Sequence, residues 1–160
     1  MSETQVIPAT EREAGALQIV KKHVPWAVGA GVIPLPGADI AALLVVQQRM
    51  LCKLAEHYGL TYRKEASKTI VASLLGDVTG ATLSGGLVSL AKLIPGVGTV
   101  VGIVSLPAFA GAVTYAVGRV FISHFESGGT FLNLKPEALR AHFREEFAKA
   151  GSEAEGKAAA

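Results

Sequence analysis

The chain has 160 residues, enough for one domain with frayed ends. Half of it is hydrophobic and the mean hydropathy is +0.41, both high for a protein living wholly in water, yet aromatics are only 6% and glycine numbers 18. A net charge of +2 on scattered cations gives no nucleic-acid footprint, and a single cysteine, Cys52, excludes an internal disulfide framework.

Residues 1–19 read as a polar arm. Its run MSETQVIPATEREAGALQ has no signal-peptide pattern, so internal segments must direct any entry into a membrane. A single helical domain is expected over 20–150, followed by a disordered tail at 151–160. A short helix is expected over 11–23, with Ala14, Leu17, Val20 and Val24 on one face. Lys21 and Lys22 then precede the first apolar region. They read as a solvated helix end, the ordinary case, or as a basic clamp on anionic headgroups, roughly 1 kcal/mol per lysine.

The apolar region 24–48 is broken by IPLPGAD at 33–39, where Pro34 and Pro36 cannot lie inside a straight helix. Asp39 suits the cap of an amphipathic helix over about 39–58, closed by Gly59. Ile40, Leu43, Leu44, Gln47, Leu51, Leu54 and Tyr58 follow helical spacing, with Arg49, Lys53 and Glu56 on the polar side. Asp39 carries two readings, a structural cap or an ionisable group at membrane depth. Gln47 and Gln48 either join helices by hydrogen bonds or mark where the helix leaves an apolar zone.

Thr61 is the expected cap of the next helix, whose stretch 70–91 holds one charge, Asp77. A carboxylate at the centre of a span costs about 2.5–3.5 kcal/mol, so this segment needs a partner. Gly76 and Gly80, four apart, suit a close helix–helix contact. The partner is 93–118, which has 26 residues without a charge, bracketed by Lys92 and Arg119. Pro95 and Gly96 make a turn, and a helix over about 97–118 spans roughly 33 Å, enough for a hydrocarbon core of about 30 Å. Pro107 cannot donate to the carbonyl of Ile103 and should kink it. A helix running through Pro107 is what a span requires; a clean break favours a soluble or re-entrant segment. Gly98, Gly102, Ala108, Gly111, Ala112, Thr114, Ala116 and Gly118 line one face with small residues, predicted to meet 70–91 in a hairpin. Arg63, Lys64 and Lys68 before the hairpin and Arg119 after it place both ends on the cytoplasmic side. A turn at 127–129 leads to a last amphipathic helix over about 136–149, with Leu139, Phe143 and Phe147 as its apolar stripe and Gly151 as its end. The expected fold class is therefore all-α: a helical membrane-associated domain with a Gly-rich apolar hairpin (70–91 and 97–118) plus amphipathic helices at 39–58 and 136–149.

Catalytic patterns are missing from the sequence. The Gly-rich run at 96–99 lacks the lysine of a P-loop, and DxxG at 77–80 is a four-residue match that chance supplies. His23, His57, His124 and His142 are scattered without metal-ligand spacing, and Cys52 reads as a small buried hydrophobe. The expectation is a non-enzyme with no cofactor and no metal.

The runs GVIPLPGADIAALLVVQQRMLCKLAEHYG, LAKLIPGVGTVVG and FAGAVTYAVGRVFISHF, in that order, resemble a bacterial family, domain of unknown function 697, over roughly 20–147. That domain occurs beside Era-like GTPase domains and in YcjF-type inner-membrane proteins. The matching residues are Pro34, Pro36, Asp39, Gln47, Pro95, Gly96, Gly98 and Gly102, none with a catalytic role to carry over. The resemblance implies a helical, membrane-embedded module, and with no GTPase domain here it implies a stand-alone form. Expected partners are the lipid bilayer, a separately encoded GTPase or other protein, and a second copy of the chain, but not nucleic acid. The expected role is an anchor or scaffold. The rivals are a soluble Gly-rich interaction module and a conditionally inserting helical pore-former.

Overall fold

From Val101 onward the charge-free run lies in the central helix of a helical bundle. In the computed structural model, which describes residues 8–32, 38–81 and 101–158, the described helices are α1 (Ala9–Ala30), α2 (Ala38–His57), α3 (Lys64–Ala81), α4 (Val101–Glu126) and α5 (Pro136–Ala158). The described residues contain no strand, so the fold is all-α. The helices alternate in direction. α1 packs along α4 with Arg12 beside Glu126 at one end and Val28 beside Gly111 towards the other. α5 returns along α4 until Phe147 meets Phe109.

From Ala110 to Ile122, α4 is buried on nearly all sides, only Tyr115 and Arg119 being half-buried. A helix that is apolar all round must be covered all round, by lipid or by protein. Here α1 and α5 cover most of it and α2 most of the remainder. The core gathers Val20 of α1, Met50, Leu51 and Leu54 of α2, Val71 and Leu74 of α3, Val117, Val120 and Phe121 of α4, and Phe143 of α5. The few aromatics concentrate at one end, where Phe121, Phe125 and Phe131 pack with centroids 5.2–5.9 Å apart.

Three expectations change. Among the described residues no helix is long and apolar enough to cross a membrane. Among the described residues the partner of α4 is also different: it touches α3 only slightly and packs mainly on α1 and α5. The turn proposed for 92–96 lies outside the described residues. The small-residue face is filled from α1: Gly111 lies under Val24 and Val28, where a Cβ would stand 3.0 Å from Val28 Cγ2, and a Cβ at Gly118 would collide with Val20. Finally, α5 does not stop at Gly151 but stays helical to Ala158, which includes most of the expected tail.

The helix ends follow local chemistry. Gly59, with φ of 65°, closes α2: its own N–H bonds Glu56 O at 3.1 Å and the next one, of Leu60, bonds Ala55 O at 2.8 Å. Gly128, with φ of 85°, closes α4 in the same way, through Phe125 O and, from Gly129, His124 O. α4 runs unbroken through Pro107, as α1 does through Pro25. Each proline deletes one intrahelical bond, but the packing of both helices holds the axis. α1 is accordingly longer than the 11–23 helix expected, and α3 begins at Lys64 rather than directly after Thr61.

The contact between Gly118 and Val20 is testable. Gly118→Ala should destabilise by about 1–3 kcal/mol, the usual cost of overpacking against a stiff β-branched neighbour. In urea unfolding, the double variant Gly118→Ala with Val20→Ala should lose less than the sum of the two single changes. Strict additivity would place the two residues out of contact.

Candidate functional site

The two ends of the bundle differ in chemistry. At the end where α1 begins, charged groups tie the helices together. The Arg12 guanidinium bonds both oxygens of Glu126, Nε to Oε1 at 3.2 Å and Nη2 to Oε2 at 2.7 Å. The Tyr58 hydroxyl donates to the same Oε1 at 2.7 Å, and His57 Nε2 donates to the Arg12 carbonyl at 2.8 Å. Gly15 lets the His57 ring approach α1 this closely. Beside this cluster Arg119 reaches Glu13 at 3.3 Å and Glu146 at 3.6 Å, and His142 Nε2 lies 3.5 Å from Glu146. An open groove of about 410 Å³ lies here, walled by Glu13, Arg119, Ser123, Glu126 and His142. Its carboxylates and cations largely satisfy each other, so the arrangement fastens α1, α2, α4 and α5 rather than presenting a free charge.

These contacts shift titrations in definite directions. The hydrogen bond from Arg12 holds the Glu126 carboxyl below the ordinary carboxylate range. Burial, reinforced by the bond to Glu126, pushes the Tyr58 hydroxyl up. Asp77, expected at membrane depth, is held from α5: Arg144 donates to both its oxygens at 2.7 Å and lowers its pKa. Its charge is therefore compensated by an amphipathic helix that the expected hairpin did not include.

Gln47 is fully buried and donates from Nε2 to Thr114 Oγ1 at 2.8 Å, while Thr114 donates to Ala110 O at 2.8 Å. Gln48 accepts instead from Tyr62 at 2.5 Å and Ser67 at 2.7 Å. The neighbouring glutamines thus join α2 to α4 and to the start of α3. Gly76 is exposed, and a Cβ there would meet nothing within 4 Å among the described residues. Asp39, Gly80 and Gly102 lie within α2, α3 and α4. Pro34, Pro36, Pro95, Gly96 and Gly98 lie outside the described residues. Among the described residues no three His, Cys, Asp or Glu side chains come together to hold a metal ion.

The opposite end is apolar. A small cluster of Ala27, Leu43 and Ala110, with Val46 against it, closes the bundle there. Beside this layer Trp26 is 72% exposed and Val45 54%, and beyond it Val32 is 66% and Ile40 59% exposed. Exposed single hydrophobes are ordinary, but four large ones on the adjoining ends of α1 and α2 form a patch. Sequence reasoning missed this patch. Its available signal was the chain's sole tryptophan, four residues after Lys22.

A bundle of amphipathic helices around a central helix without charge from Val101 to Gly118, pinned by ion pairs at one end and apolar at the other, defines a helical packing module. The chain belongs to the family described as domain of unknown function (DUF697), whose model matches residues 3–151. It is 45% identical over 139 residues to magnetosome membrane protein 22 of Magnetospirillum gryphiswaldense, covering 86% of this chain and 71% of that protein. No solved structure matches it.

The pH dependence of stability follows from the shifts. The depressed pKa values of Glu126 and Asp77 mean that their contribution is complete above the ordinary carboxylate value of about 4 and is lost as pH falls below it. The raised pKa of Tyr58 means that its contribution is complete below about pH 10 and is lost as pH rises further. Melting temperature should fall on both limbs. Asp77→Asn should lower it by about 2–4 °C at pH 7 and flatten the acid limb. Tyr58→Phe should flatten the alkaline limb and, by removing one of the bonds that hold Glu126 ionised, also weaken the acid limb; an unchanged alkaline limb in that variant would contradict the assignment.

Proposed function

We propose that this protein is a non-enzymatic helical scaffold of a bacterial membrane, attached by its apolar end and presenting its charged end to the cytoplasm. The observation that carries this reading is the patch of Trp26, Val32, Ile40 and Val45, set at the end away from the ion-paired clasp. Two further points support it. The relative from Magnetospirillum gryphiswaldense is named a membrane protein of magnetosomes. The resemblance of 20–147 also extends to domains that accompany Era-like GTPases, which motivates a separately encoded GTPase as working partner. A second reading, an interaction module with no lipid contact, is favoured by the coverage of α4 by protein on nearly all sides.

Fractionation separates the two. The scaffold should sediment with native membranes at low salt and be released by alkaline carbonate, as expected of a bundle whose described helices do not cross the bilayer. Recovery in the soluble fraction at low salt would favour the module without lipid contact. Affinity capture from solubilised native membranes should recover a GTPase; a capture without one would remove the partnership and leave the scaffold reading in place.

A further inference from the structure

The apolar end also carries a charge pattern that selects its occupant. α1 climbs to this end and α2 descends from it, so a residue four positions further from the end on either helix lies about 6 Å below its neighbour on the same face. On α1, Lys22 stands four residues before Trp26; on α2, Arg49 stands four residues after Val45. Pairs at this spacing share a helix face, and all four side chains are exposed. Lys21, also exposed, adds a third cation at the same level. None of Lys21, Lys22 and Arg49 is ion-paired among the described residues, whereas Arg12, Lys53, Arg119, Arg144 and Lys149 are; the other cations without an ion pair, Arg63, Lys64, Lys68, Lys135 and Arg140, lie at or near the starts of α3 and α5, towards the opposite end. Between 14 and 55 the sequence holds one acid, Asp39, against Lys21, Lys22, Arg49 and Lys53. The exposed Glu153 belongs to α5, whose main neighbours are α3 and α4.

Resting on the membrane reading above, we infer that the α1–α2 end is a surface-docking face for an anionic lipid bilayer, with Trp26, Val32, Ile40 and Val45 entering the headgroup region and Lys21, Lys22 and Arg49 forming a basic collar against lipid phosphates and carboxylates. The chemistry on both levels fits such a surface. Tryptophan settles at the boundary between headgroups and acyl chains, where its ring is apolar and its N–H stays wet. Lysine and arginine lay their aliphatic stems along the apolar rim and hold their charges in the anionic layer. A protein groove would satisfy the apolar tip but leaves no role for unpaired cations ringing it on two helices. The lipid surface accounts for both.

Trp26 is the only tryptophan, so the native full chain reports on its own docking. With vesicles of phosphatidylcholine and phosphatidylserine at 7:3, Trp26 emission should shift to shorter wavelength and be quenched by brominated acyl chains. Binding to pure phosphatidylcholine should be far weaker. Each removed cation should weaken binding about fivefold, so Lys22→Gln with Arg49→Gln should bind roughly 25-fold less. These exposed changes should leave the melting temperature unaltered. If the wild type binds anionic vesicles while Trp26 emission stays unchanged, or if the double variant binds as well as wild type, this face is not the docking surface and membrane attachment by another route survives. If the wild type sediments with native membranes but binds neither kind of vesicle, lipid docking is overturned and a protein anchor takes its place. If it associates with neither, the membrane reading falls with it.

Discussion

Everything in this fold depends on covering one helix. α4 carries no charge from Val101 to Gly118, and its buried stretch extends past Arg119 to Phe125. Such a helix has no polar face to offer water. The bundle answers with α1 and α5, whose own apolar stripes are narrow and whose outer faces are polar. Close approach is what makes two such modest helices sufficient. At Gly111 and Gly118 the side chains of α1 rest on bare α4 backbone, and Val20, Val24 and Val28 form the seam from the other side. The valines are stiff at χ1, so the seam is formed with little loss of side-chain freedom. The same small residues that suit packing within lipid suit packing within a protein, because both need backbones close together.

That double meaning explains what was legible. The helices at 39–58 and 136–149 and the stop at Gly59 follow from periodicity and turn chemistry. They appear as α2, the first part of α5 and the Gly59 turn. Composition singles out 93–118, and its described part, from Val101, lies in the central helix α4. It did not say what covers that element, since a charge-free run is the signature of a lipid-facing and of a protein-enclosed helix alike. The choice of α3 as partner rested on adjacency in sequence. Among the described residues the main partners are α1 and α5, the first separated from α4 by α2 and α3. Gly151 was read as a stop, although glycine in the last turns of a helix is tolerated at a cost of about 1 kcal/mol. α5 continues through it to Ala158.

The polar contacts were less legible because they bridge distant positions. Arg12 and Glu126 are 114 residues apart, and Asp77 and Arg144 are 67 apart. Nothing in a single sequence pairs them. Asp77 shows the consequence. Read within its own segment it is an unpaired charge in an apolar helix; placed beside Arg144 it becomes a clamp between α3 and α5. Gln47 falls between these cases. A glutamine in an otherwise apolar row signals a cross-helix bond, and the bond to Thr114 lies where that row faces α4. Thr114 relays it into the α4 backbone by donating to Ala110 O, one turn earlier. A polar bond inside an apolar seam fixes the register of α2 against α4 more narrowly than sliding methyl contacts do.

The asymmetry between the ends then acquires a physical logic. Ion pairs and aromatic rings hold the end where α1 starts and α4 finishes. There Arg12, Tyr58 and Glu126 cross-link three helices, and Phe121, Phe125 and Phe131 fill the space between them. Among the described residues the other end has neither device. The closing layer described there is Ala27, Leu43 and Ala110, which are small or short, and beside and beyond it large hydrophobes face outward. In water such an end is unfavourable by roughly 25 cal/mol for each Å² of apolar surface left wet. Helices open at one tip and ringed there by unpaired cations match a medium that is apolar inside and anionic at its surface. Stability concentrated at the charged end leaves the apolar end free to meet that medium without loosening the core.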